Sequence, residues 1–149
     1  MKRLITLFIV LFMGTALFAQ EGLYVEELFE GKGIAPVAMR RNFISGSQLA
    51  PYHLDTYKSI AFQVAYATYL GVEDLVLKDA EAAVSRQIEY AGDHLTYAVI
   101  CLPPTITGLN RFLCFQAKEN KGLWDVTLVY LRGTASVGDL DKMFNKRKQ

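Results

Sequence analysis

The chain has 149 residues, 16 Lys and Arg against 15 Asp and Glu, a formal charge of +1, and 52% hydrophobic residues. That length suits a single domain able to bury a core without covalent staples. The balanced charge gives no electrostatic reason to expect nucleic acid, and two histidines with two cysteines offer no clustered metal-ligand spacing.

The opening MKRLITLFIVLFMGTALFAQ has the physics of a secretory signal peptide. Lys2 and Arg3 form a positive n-region, Leu4 to Met13 is apolar apart from Thr6, and small residues lead to Ala19. The apolar stretch is short for a span of roughly 20 residues, and no basic cluster follows to stop transfer. No cysteine stands near the cut to take a lipid. Cleavage is expected near Ala19 or Gln20, giving a signal peptide at 1–19 and one domain at 20–149. Removing the signal leaves 14 Lys and Arg against 15 Asp and Glu. The expected location is periplasmic or secreted, with no membrane span once the signal is gone.

LYVEELFEGKG reads as a short helix with Tyr24, Val25, Leu28 and Phe29 on one face and Gly31 at its stop. Pro36 opens a period-two segment with Val37, Met39 and Phe43 on one side, and Ser45-Gly46-Ser47 turns the chain. A second strand is predicted from Tyr57 to about Tyr66. Gly71 then breaks the pattern, and VEDLVLKDAEAAVSRQ follows with helical spacing through Val72, Leu75, Val76, Ala80, Ala83 and Val84. Three more strands follow: IEYAGDHLTYAVICL (two if broken at Gly92-Asp93), LNRFLCFQA and LWDVTLVYLRG. The chain closes with a helix capped by Ser136, its apolar face being Val137, Leu140, Met143 and Phe144. The basic cluster Lys142, Lys146, Arg147 and Lys148 suits that helix's C-terminal dipole. The expected fold is α+β: a single domain with a mostly antiparallel sheet of about five strands and helices mainly on one face.

With PPTITG joining two strands, the simplest register sets Leu102 opposite Leu109, Cys101 opposite Asn110 and Cys114 opposite Tyr97. Both cysteines then share one face but stand four positions out of step, roughly 13 Å apart. A disulfide needs Cα atoms within about 7 Å, so two free thiols used as small hydrophobes are expected. The same register places Ala98, Ile100, Leu102, Leu113, Phe115, Ala117, Trp124, Val126 and Leu128 in one layer, taken as the core. The opposite face presents Leu95, Tyr97, Val99, Cys101, Phe112, Cys114, Thr127, Val129 and Leu131. It is too apolar to stand bare, so the chain's own N-terminal segments or another subunit should cover it.

Catalytic motifs are sparse. His53 and His94 stand in turn-like settings far apart, and Asp93 and His94, adjacent on a strand, point to opposite faces. No G-x-S-x-G, phosphate-cradling glycine loop or H-E-x-x-H is present. Arg40-Arg41 puts one cation on each side of its strand, and Trp124 is read as a core anchor rather than a sugar platform. No metal and no cofactor is expected.

In chain order the landmarks are VEELFEG, APYHLDTYKSI, LVLKDAEAAV, ICLPP, NRFLCF and VTLVYLRGTASVGDLDKMF. They resemble a family of small signal-bearing proteins of unknown function from Gram-negative gut bacteria. That family has a similar L-F-x-G opening, Y-x-L-x-x-[FY]-x-S, a Leu-Pro-Pro turn, N-R-[YF]-L and a strand-Gly-helix ending. The matching positions are Leu28, Phe29, Gly31, Tyr52, Leu54, Tyr57, Ser59, Pro103, Pro104, Asn110, Arg111, Tyr130, Gly133 and Leu140. The resemblance implies a fold and an exported address without a chemistry. Asn110 and Arg111 are the two polar positions that core, turn or cap roles do not explain.

Three readings stay open. In the first, a non-catalytic periplasmic or surface module uses Tyr97, Val99, Phe112, Val129 and Leu131 against an unknown protein partner or a second copy. In the second, Asn110, Arg111, Tyr130 and Arg132 bind a small anionic or glycan ligand, because the assumed pairing sets Arg111 against Tyr130. The third, a hydrolase using a cysteine or His94, has least support, and no residue is assigned a catalytic role.

Overall fold

Apolar residues recur every second position in the strands and about every 3.6 in the helices, and these periods decide which surfaces meet. The computed structural model describes residues 22–32 and 39–147, with side chains as far as Lys142. The expected signal peptide, the expected strand start at Pro36 and Val37, the side chains of Met143, Phe144, Lys146 and Arg147, and Lys148 lie outside the described residues.

Six strands form one antiparallel sheet: β1 (Met39–Ser45), β2 (Leu54–Val64), β3 (Ser85–Ala91), β4 (His94–Leu102), β5 (Asn110–Asn120) and β6 (Leu123–Gly133). Their order is β1-β2-β6-β5-β4-β3. The helices are α1 (Glu26–Phe29), α2 (Tyr66–Glu81) and α3 (Val137–Arg147), with a 3-10 segment at Ser47–Tyr52. The fold is therefore α+β with a mostly antiparallel sheet, as the sequence suggests. The sixth strand arises because Gly92-Asp93 does break its segment, giving the tight β3–β4 turn.

Helix α2 starts at Tyr66, six residues before the expected start, and runs through Gly71. Its buried line, Tyr69, Val72, Val76 and Ala80, is continuous across the glycine. Packing of that line against the sheet outweighs the roughly 1 kcal/mol helix penalty of one glycine. At the other end the helix stops at Glu81, and the Val84 N–H already donates to the Cys101 carbonyl at 2.8 Å, so Ala83 and Val84 lie outside the helix.

One sheet face packs against α1 and α2. Ile60, Phe62, Ala98, Ile100, Leu102, Leu113, Phe115, Ala117, Trp124, Val126 and Leu128 are buried there. The Tyr69 ring stacks on Trp124 at 4.0 Å and 11°, an aromatic pair contributing about 0.5–1.5 kcal/mol beyond area burial. Leu95 belongs to this core rather than to the opposite face. Glu89 pairs with Tyr97 but Tyr90 pairs with Leu95, so Thr96 is an extra residue, and this bulge reverses the alternation.

The β4–β5 and β5–β6 registers each differ by two residues from the simplest pairing. Leu102 faces Arg111, Cys101 faces Phe112, and Cys114 faces Val99; Arg111 faces Arg132 and Leu113 faces Tyr130. A slip of two keeps every side chain on its face, so the layer assignment is preserved. Lys121 and Gly122, at φ 54 and 83, form the two-residue β5–β6 turn, the left-handed pair that a right-twisted hairpin favours.

The second face carries its own smaller cluster. Leu49 of the 3-10 segment, Ala135 and Leu140 of α3 cover Leu54, Phe112 and Leu131. Helix α3 begins with a reciprocal cap: the Asp139 N–H donates to Ser136 Oγ at 3.2 Å, and the Ser136 N–H to Asp139 Oδ2 at 2.9 Å.

Candidate functional site

The alternation that buries Ile60, Phe62, Val126 and Leu128 continues toward one end of the sheet as Lys58, Thr56, Tyr130 and Arg132. Lys58 pairs with Tyr130 and Thr56 with Arg132 on β2 and β6. From β5, Arg111 stands directly opposite Arg132. The core face thus ends in a polar, cationic strip.

Like charges directly across strands repel, and the surroundings answer each guanidinium separately. Arg132 Nε donates to Asp55 Oδ1 at 2.9 Å. Arg111 is only 3% exposed, and its Nε donates to the Pro103 carbonyl at 3.0 Å. Its charge also acts on the Tyr130 hydroxyl. The Pro-Pro turn after β4 therefore supplies an acceptor for the buried arginine.

Helix α1 lies over this strip. Its first turn is held by Asp79 of α2, whose Oδ1 and Oδ2 accept the Tyr24 and Val25 N–H groups at 2.9 and 3.0 Å. Between α1 and the strands is a cavity of about 360 Å³. Its floor is Thr56, Lys58, Arg111, Tyr130 and Arg132, and Leu23, Glu26 and Phe29 line it from the α1 side. Thr105 of the β4–β5 loop completes the wall, its hydroxyl accepting the Leu109 N–H at 3.0 Å.

The electrostatics follow from burial and neighbours. Desolvation raises Asp55, but hydrogen bonds from Arg132 and Thr56 outweigh it and hold the carboxyl below its usual range. Burial pushes the Tyr130 hydroxyl up, and the Arg111 charge recovers only part of that shift. Tyr130 therefore stays a neutral hydroxyl beside a permanent cation. With Lys58, Arg111 and Arg132 it can hold a carboxylate or similar oxyanion through charge-assisted hydrogen bonds.

Of the four residues predicted for a ligand, the cavity gathers Arg111, Tyr130 and Arg132. Asn110 faces away, donating its amide Nδ2 to the Ala135 carbonyl at 3.0 Å and tying β5 to the turn before α3. The sequence reading missed Lys58, Thr56, Thr105 and Glu26. Lys58 and Thr56 had a signal, since they share the parity of Ile60 and Phe62. Glu26 and Thr105 had none, because only the tertiary fold brings them near.

On the second face, Phe112 and Leu131 are covered by the chain's own segments, each 3% exposed. Tyr97, Val99, Cys101 and Val129 are half-buried along a broad concavity beside α3. Cys101 and Cys114 are free thiols. Their offset is two residues, which still leaves them roughly 8 Å apart by strand spacing. His94 packs edge-on against Trp124 and Tyr66, with ring centroids 5.2 and 5.4 Å away. Among the described residues, no three of His, Cys, Asp and Glu group as a metal site, and no helix is long and apolar enough to cross a membrane.

Fold and site together define an α+β domain built on a six-stranded antiparallel sheet, with a cationic cavity at one end beneath a short helix. The chain belongs to the Family of unknown function (DUF6108), whose model matches residues 12–144. No curated protein and no solved structure matches it significantly.

Proposed function

We propose that this protein is an exported, non-catalytic domain that binds a small anionic ligand in the cavity beneath α1. The carrying observation is the convergence of Lys58, Arg111 and Arg132, from three strands, on one cavity of about 360 Å³ with the Tyr130 and Thr56 hydroxyls. Small-ligand sites combine such a concave volume with a few convergent polar groups. Ligand that binds only the native state raises its stability, so a thermal-shift panel of small carboxylates tests the reading. Lys58→Met, at a half-buried position on the floor, should weaken binding about tenfold, or about 1.4 kcal/mol. A panel giving no shift with any carboxylate would reject the reading.

A second reading places a protein partner or a second copy on the other sheet face. It is favoured by Tyr97 and Val99, which remain half-buried along the concavity outside the cluster around Leu49 and Leu140, with Val129 at that cluster's edge. Sedimentation at high concentration tests it, and a monomer would remove the self-association version. Export rests on Lys2, Arg3, the apolar run to Met13 and Ala19. The intact mass of the protein from a periplasmic fraction tests it, cleavage near Ala19 being the expected result.

A further inference from the structure

We infer that the ligand of this cavity is zwitterionic, an amino-acid-sized molecule with a free carboxylate, a free ammonium and an apolar substituent. The inference rests on the ligand-binding reading and narrows its chemistry.

Charge balance is the first support. Lys58, Arg111 and Arg132 contribute three cations to the cavity lining. Among the described residues, carboxylates stand near them: Asp55 on Arg132 at 2.9 Å, Asp79 acting on Arg111 through space, and Glu26 in the lining itself. Asp55 and Asp79 stand behind the lining and offset part of its positive charge, which favours a singly charged carboxylate over a phosphate or a polyanion. The signs are nevertheless separated in space. The cations rise from the strands at the floor, whereas Glu26 comes from α1 on the opposite side. A ligand whose carboxylate points to Arg111 and Tyr130, and whose ammonium points to Glu26, meets opposite charge at both ends. A ligand bearing only negative charge meets Glu26 as a repulsion, which gives discrimination as well as affinity.

Size and polarity fit the same molecule. Leu23 and Phe29 flank Glu26 in the lining and give an apolar wall for a side group. About 360 Å³ lies at the small end of ligand cavities, enough for one amino acid and too little for a folded peptide segment.

The test is calorimetry on the protein as purified from cells, with L-leucine, L-phenylalanine, N-acetyl-leucine, leucine amide and inorganic phosphate as probes. Leucine or phenylalanine should bind at least tenfold more tightly than N-acetyl-leucine, which lacks the ammonium, and than the amide, which lacks the carboxylate. Phosphate should bind more weakly than either amino acid. Glu26 is exposed, so Glu26→Gln leaves the fold intact and should bring leucine down to the affinity of N-acetyl-leucine. N-acetyl-leucine binding as well as leucine would overturn the zwitterion and leave the anion reading standing. Phosphate binding more tightly than both amino acids would do the same. No binding by any carboxylate would remove both.

Discussion

Asp79 puts a carboxylate 4% exposed where the core would otherwise be apolar, and its role is to hold the start of α1 over the cavity. Desolvation lifts its carboxyl above the ordinary 3.8, and the Tyr24 and Val25 N–H groups with the Arg111 charge offset only part of that. The folded state then binds this proton more tightly than the unfolded chain. The stability contributed by Asp79 therefore falls as pH rises from 3.8 through its raised value. Asp55 and Asp139 have lowered values, so their contribution is present above 3.8 and is lost as pH falls below it. Denaturant melts across about pH 3 to 7 should show that Asp79→Asn abolishes the decline with rising pH and keeps the acid-side loss. An unchanged profile would mean that Asp79 is not the group responsible. At Cys114, burial and then the nearby Cys101 push the thiol up to about 12, leaving almost no thiolate at neutral pH. In a Cys101→Ala background, Cys114 should stay unlabelled by a thiol reagent until denaturant is added. Rapid native labelling would show that the second face opens there.

At the scale of elements, parity was the legible quantity and register was not. Alternation assigned Phe115, Val126 and Leu128 to the core while both hairpin registers were off by two, because a slip of two leaves every face unchanged. Leu95 was misplaced because a bulge reverses parity and has no composition of its own. The start of α2 was missed for a different reason: Gly71 looks like a breaker locally, and only the Tyr69–Trp124 stack shows why the helix continues through it. The candidate site was half legible. Arg111, Tyr130 and Arg132 are near in any hairpin register; Lys58 shows its face by parity but not its partner strand, and Glu26 arrives on a helix that only the tertiary fold lays over the sheet. Gly71 is exposed, and a Cβ added there meets nothing within 4 Å. Gly71→Ala should therefore raise stability by about 0.5–1 kcal/mol through a stiffer unfolded chain. A loss of stability in thermal melts would mean that the glycine has a role beyond helix geometry.

Across the whole molecule, the 3-10 segment and the turn into α3 meet at a corner where the His53 carbonyl accepts the Ala135 N–H at 2.9 Å. Gly133 makes that crossing possible, since a Cβ there would collide with the backbone of His53 and Leu54. Gly133→Ala should cost about 1–3 kcal/mol through overpacking, measured as a lower denaturation midpoint with an unchanged slope. A neutral result would mean that the corner relaxes freely. The sheet itself divides by connectivity. Strands β3 to β6 form a meander of sequential neighbours, and β1 with β2 forms a separate ribbon that joins only along β6. Thr56 and Lys58 belong to the ribbon, whereas Arg111, Tyr130 and Arg132 belong to the meander. The cavity floor therefore straddles the seam between the ribbon and the meander. On the ligand-binding reading, a molecule seated there would act as a clasp, slowing amide hydrogen exchange throughout the ribbon while leaving the interior of the meander at its own pace.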